Sequence, residues 1–181
     1  DDDDDDDAEK DVWKGIIDTN QQELNLVDWA TGQGWNGNDK VKITIADGVY
    51  IYSDDAGPGD PKLAYTKQPA IQIDKFPNGL DLENNGFIMG RGGDGGYNYK
   101  GFRKSGGKYG VGQNGGDAIQ VTSNSRIVIN NNNGAIAGGG GGGGGSGTQG
   151  GGGGGGAGGG WGGTSISFNT ETEAGNIGDG R

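Results

Sequence analysis

The segment from 97 to 109, YNYKGFRKSGGKY, gathers the side chains best suited to recognition: Tyr97, Tyr99, Phe102 and Tyr109 stand among Lys100, Arg103, Lys104 and Lys108. Tyrosine and arginine are enriched at binding hot spots because a ring or a planar guanidinium buries much surface and still offers a polar tip. The competing use of the same aromatics is to fold back over flat glycine surface nearby. Bases interleaved with aromatics also suit stacking on nucleic acid. Here the motif is limited to single FRK and GRGG occurrences in a chain of net charge −11, so no nucleic-acid partner is expected.

Catalysis is poorly provided for. The chain has no histidine and no cysteine, which removes the usual general base, the commonest metal ligand and every thiolate site. Paired acids can hydrolyse glycosides, but the spacing of Asp54, Asp55, Asp60, Asp74, Asp81 and Glu83 singles out no pair. GRGGDGG, at 90 to 96, shares a pattern with the calcium nonapeptide repeat yet occurs once, without the tandem period that such sites need. The expectation is a binding protein, not an enzyme, with no cofactor and no metal.

The elements that must position the recognition segment are unusual. Of 181 residues 46 are glycine, and the apolar fraction is 29%, against roughly 45–50% in ordinary globular domains. Conventional burial is therefore concentrated, chiefly in positions 12 to 52. Asp1 to Asp7 repel one another and read as a solvated tail or an artefact over residues 1–10; without that run the net charge is −4. No run of 18 apolar residues offers a membrane-spanning segment.

Residues 11–69 read as a small α+β base. Leu26, Trp29 and Ala30 have helical spacing, with Asn25 as N-cap and Gly32 and Gly34 past the last turn. Val41, Ile43 and Ile45 alternate with polar residues, Asp47-Gly48 makes a turn, and alternation resumes, which predicts a hairpin. A proline-containing loop at 53–69 follows. Trp13 stands outside the helix beside Ile16 and Ile17, an apolar group suited to docking on a neighbouring chain.

Residues 70–181 repeat. AIQI at Ala70 recurs as AIQV at Ala118, and NGFIMG at Asn85 recurs as NGAIAG at Asn133, both with an offset of 48. LDL at 80–82 corresponds to IVI at 127–129 after a shift of one residue. Each unit then enters glycine, with 12 between 90 and 117 and 21 between 138 and 163.

Such tracts are ordinarily flexible tethers, since glycine loses the most backbone entropy on ordering. The alternative is a set of polyglycine II helices, three residues per turn, whose backbones approach closely enough to hydrogen-bond sideways. Candidate members are 90–96, 106–116, 138–145, 150–156 and 158–163. The fold class expected is mostly β or irregular: the α+β base, then a repeat-built β and polyglycine II sandwich.

NLVDWATGQGWNG…VKITIADGVYIYS, followed by NNGFIMGRGGDGG and NNNNGAIAGGGGGGGG, resembles bacteriophage tail-tip and tail-fibre receptor-binding proteins. The glycine half is similar to the distal adhesins of T-even-like phages, whose tip is a sandwich of polyglycine II helices bearing receptor-contacting loops. The resemblance implies a virion protein at the distal end of a tail or tail fibre. Its implied partners are a bacterial outer-membrane protein or lipopolysaccharide and other tail or fibre subunits, as in a homotrimer. The segments linking glycine helices, 97–109 and SGTQ at 146–149, become the implied receptor loops. The rival expectation is a filament, sheath or surface-layer subunit packed through its polyglycine segments.

Overall fold

The computed structural model describes residues 12–53, 68–93 and 114–141, and the backbone of 164–167 and 170–173. The Asp1–Asp7 run, most of the 53–69 loop, the 97–109 segment and the glycines from 142 to 163 lie outside the described residues.

The chain winds in coils. The first comprises β1 (Val12–Ile17), β2 (Gln21–Gln22), β3 (Leu24–Asn25) and the helix α1 (Leu26–Gly32). The second comprises β4 (Lys40–Ile45), β5 (Tyr50–Tyr52) and β6 (Ile71–Ile73), and the third β7 (Leu80–Asn84), β8 (Phe87–Met89) and β9 (Ile119–Val121). The fourth contributes β10 (Ile127–Asn130) and β11 (Ala135–Ala137); β12 (Thr164–Ser167) and β13 (Thr170–Glu173) then form an antiparallel pair. Each strand of one coil pairs in parallel with its counterpart in the next, giving three sheets ordered β1-β4-β7-β10, β2-β5-β8-β11 and β3-β6-β9. This is a three-faced parallel β-solenoid.

The repeat is the coil itself. Ile71 pairs with Ile119 and Phe87 with Ala135, both at an offset of 48, whereas Leu80 pairs with Ile127 at 47, which is the one-residue shift between LDL and IVI. All three sheets draw strands from both sides of residue 69, which lies between β5 and β6.

The expected hairpin is corrected. Both strands and the Asp47-Gly48 turn are present, with Gly48 at φ 74°, but β4 and β5 lie in different sheets. Four residues separate them instead of the two of a tight hairpin, and both strands take their hydrogen bonds from parallel neighbours in other coils. The Asn-Gly pairs behave likewise as corners. Gly86 lies so close to the carbonyls of Val49 and Ala46 below it that a β-carbon there would overlap them.

Period-two alternation fills the interior with Val41, Ile43, Ile45, Leu80, Leu82, Ile51, Ile88, Ile71 and Ile73, all buried. At about 1.5–3 kcal/mol for each large aliphatic side chain, this row outweighs the ion pairs Lys40–Asp81 (2.8 Å) and Lys42–Glu83 (3.5 Å) on the outer face. Exposed pairs contribute ~0–1 kcal/mol.

The helix forms as its caps dictate. Asn25 Oδ1 accepts from the amides of Val27 and Asp28 at 3.0 and 3.1 Å. At the other end Gly34, at φ 94°, lets its own amide reach the Thr31 carbonyl and that of Trp35 reach Ala30, a Schellman closure. Trp35 is thereby delivered into the core against Phe76, with ring centroids 5.0 Å apart.

Asn25 has a second task. Its Nδ2 donates to Asp74 at 2.7 Å, while Gln72 Nε2 and Thr122 Oγ1 donate to the same carboxylate at 2.9 and 2.6 Å, so one group ties three coils together. These bonds, Thr122 first, then Gln72 and Asn25, hold the Asp74 carboxyl below its ordinary value of 3.8, against a small opposing effect of burial. A depressed carboxylate contributes stability that is complete above its unfolded value and is lost as pH falls through the folded one. Asp74→Asn is therefore expected to lower the melting temperature most at neutral pH, with the gap from wild type closing on acidification below about 3.8; melting curves across that range measure it.

Candidate functional site: a stacked corner that carries the insertions

The second and third faces meet at one corner, and its contents change from coil to coil. In the first coil it is the single residue Glu23, held at φ 49°. The corresponding insertions are 53–70 in the second coil and 90–118 in the third; in the fourth the chain leaves β11 at 138. Main-chain bonds stack the departures, Glu23 N to Tyr52 O at 2.9 Å, Ser53 N to Met89 O at 3.1 Å and Gly90 N to Ala137 O at 2.8 Å. The returns stack too, through Leu24 N to Ala70 O and Ala70 N to Asp117 O. The insertions 53–70 and 90–118 thus issue from one edge of the solenoid, whereas the connection that carries α1 lies at another corner. The segment 97–109 belongs to the third coil's insertion.

At the root of these insertions three glycine segments meet. Gly90 and Gly93 donate to Ala137 and Gly140 at 2.8 and 2.7 Å, Gly116 donates to Arg91 at 2.7 Å, and Gly139 donates to Gly116 at 3.0 Å. Each segment therefore bonds to both of the others. The Gly90 and Gly93 bonds advance by three residues along both partners, the period of a threefold extended helix, whereas a strand advances by two. A β-carbon on Gly115 would overlap the Gly139 carbonyl, and one on Gly139 the Arg91 carbonyl. Only the absence of side chains permits this approach.

The remaining expected residues are placed as follows. Tyr97, Tyr99, Lys100, Phe102, Arg103, Lys104 and Tyr109 lie outside the described residues, with their flanks fixed at Gly93 and Asn114. Trp13 is partly buried, edge-on to Trp29 with centroids 6.1 Å apart. Ile16 is 67% exposed, whereas its neighbour Ile17, at 1%, points into the core. Alternation along β1 puts Trp13 on the same face as Ile17, in register with the buried Val41 and Ile45, and Ile16 on the opposite one, so the three do not make a single outward group. Of the carboxylates weighed for catalysis, Asp81 and Glu83 are engaged by lysines and Asp74 by the three-coil cluster. Among the described residues no group of three potential ligands gathers to hold a metal.

Sequence reading missed an outward aromatic pair. Tyr50 and Phe87 stack with centroids 4.7 Å apart and planes at 13°, adjacent in register on the second face. An irregular coil offset hid them, since 37 residues separate this pair and 48 separate Phe87 from Ala135.

A solenoid that sends two long insertions out along one edge has the form of a scaffold that presents loops. The family model of the phage tail fibre adhesin Gp38 matches residues 13–181, and the chain belongs to that family. No curated protein and no solved structure matches it. Membership makes this a bacteriophage tail-fibre protein that recognises a receptor on the host surface and works with other tail components. The rival reading as a lattice-forming subunit gives way to it.

The glycine junction predicts a sharp contrast between neighbours. Gly139→Ala is expected to cost about 1–3 kcal/mol, the usual range for forced overpacking. Gly138→Ala, whose β-carbon would meet only the Gly116 carbonyl at 3.7 Å, should be nearly neutral. Chemical denaturation of the two variants side by side tests this.

Proposed function

We propose that the chain is the distal, receptor-contacting subunit of its fibre and that the stacked insertions are its working surface. The observation that carries this is the common edge from which the insertions depart. Aromatic and basic residues 97–109 supply the contact, with Tyr97, Tyr99, Lys100, Phe102, Arg103, Lys104 and Tyr109 as the residues that meet an outer-membrane protein or lipopolysaccharide. The cationic members suit acidic protein loops or phosphorylated glycolipid, and the rings add buried area at low entropic cost.

Beneath that loop, the three-residue bonding period at 90–93 and 137–140 supports continuation of the glycine segments as packed polyglycine II helices within one chain. Eight glycines from 138 to 145 would span roughly 25 Å in that form. Residues 11–69, which include α1, serve as the base. Ile16, on the outer face of β1, and Trp13, on the opposite face of the same strand, are the residues that dock on the fibre, with Ile17 anchoring the strand that carries them, as one copy on a trimeric shaft or as a homotrimer. The protein binds and does no chemistry.

Replacing 97–109 with a Gly-Ser loop of equal length should abolish adsorption to host cells while leaving the melting temperature of the solenoid unchanged. Undiminished adsorption by the folded variant would remove the loop from the contact. Assaying hosts that lack either lipopolysaccharide outer core or individual outer-membrane proteins separates the two receptor classes. Independently, Ile16→Asp is expected to leave folding intact and to reduce co-purification with the fibre at least several-fold; full retention would relocate the docking patch.

A further inference from the structure

The outer surface of the first face holds a groove across β4, β7 and β10, with a volume of ≈ 320 Å³. That is at the lower end of the range for small-molecule sites, about 300–1,000 Å³. Register explains why the groove exists. In the row just before Val41↔Leu80↔Ile127, Gly79 stands between Lys40 and Arg126, as the bonds from Val41 N to Gly79 O and from Leu80 N to Arg126 O place it. Gly79 is held at φ 94°, a conformation that residues with side chains rarely adopt. The gap between the two cations is therefore set by the backbone.

The lining is chemically mixed. Lys40 Nζ engages Asp81 Oδ2 at 2.8 Å and Lys42 Nζ engages Glu83 Oε2 at 3.5 Å, which leaves Asp81 Oδ1 and Glu83 Oε1 as acceptors. Asn130 Oδ1 accepts from the Asn132 amide at 3.2 Å, so its Nδ2 is left to donate. Across the Gly79 gap, Arg126 has no ion pair and no side-chain hydrogen bond among the described residues. Val128 and the aliphatic stems of the lysines supply apolar surface beside these groups.

We propose that this groove binds an acidic saccharide of the host surface, with Arg126 holding its carboxylate or phosphate and Asp81, Glu83 and Asn130 holding its hydroxyls. A guanidinium grips such an anion through two parallel N–H bonds, and Arg126 is the cation of the lining that no carboxylate of the protein neutralises. Hydroxyls both donate and accept, which matches carboxylate acceptors set beside ammonium and amide donors. A ligand of mainly apolar surface would instead strip water from these charges without replacing its bonds. The groove lies on the first face, whereas the insertions depart where the second and third meet. The site therefore goes beyond the receptor loop and stands or falls without it.

Amide-shift titration of the isotope-labelled full-length protein tests this, with trigalacturonate, mannose phosphate and neutral maltotriose as probes. At least one acidic probe should shift the Asp81, Val128 and Asn130 amides and bind more tightly than maltotriose. Preference for trigalacturonate indicates a carboxylated polysaccharide as the source, and preference for the phosphate indicates lipopolysaccharide core. Arg126→Ala should weaken the acidic probe by about tenfold or more, the scale of charge-assisted hydrogen bonds. Lys14→Ala removes the same charge from the same face but outside the lining, three strands from β10, or roughly 14 Å, and should leave the affinity nearly unchanged. Replacement of 97–109 should also leave it unchanged, which separates failure of the groove from failure of the loop. Groove amides unmoved by either acidic probe, equal affinity for maltotriose, or equal losses in the Arg126 and Lys14 variants would each overturn the assignment.

Discussion

Backbone bonding from one coil to the next is the constraint that the remainder of the molecule obeys. Each parallel ladder requires the chain to return to the same face at the same height, which fixes where corners fall and which side chains look inward. Where the interior is wide enough, aliphatic residues such as Ile43, Leu82 and Ile73 fill it. At the glycine junction near Gly90, Gly116 and Gly139 the backbones meet directly and no side chain intervenes. The same demand for a paired main chain thus produces a conventional core and a glycine-only contact within one continuous structure.

Asparagine side chains give this arrangement its specificity. Asn84 is wholly buried; its Nδ2 donates to Asn131 Oδ1 at 2.7 Å and its Oδ1 accepts from the Gly86 amide at 3.1 Å. Above it, Asn133 donates to Asn85 at 3.1 Å. Asparagines at equivalent corners therefore lock successive coils in register, much as Asp74 does on the third face. Because the buried Asn84 amide both donates and accepts, a slip of one residue would leave its polar groups without partners.

Much of this was legible in the residues. The start of α1 and its Asn25 cap followed from spacing and capping chemistry, although Gly32, expected past the last turn, is the final residue of α1, and the offset of 48 was the coil length on two of the three faces. What could not be read was the partner of each strand. Val41, Ile43 and Ile45 alternate identically in a hairpin and in a solenoid, because alternation records which face is buried and says nothing about which strand lies alongside. The first two coils also hide the repeat, since β1 and β4 are offset by 28 and β4 and β7 by 39. As for the candidate site, the composition of 97–109 marked it out, but only the stacked corner shows that its insertion shares an edge with those of the neighbouring coils.

Glu23 closes its corner with one residue, whereas the equivalent position in the third coil accommodates 29. Closing a flexible excursion costs only about 0.6 kcal/mol more for each doubling of its length, and the ladders on either side are unaffected by what lies between them. The corner therefore works as a socket. Insertions of very different length can occupy it without any change to the frame that holds them.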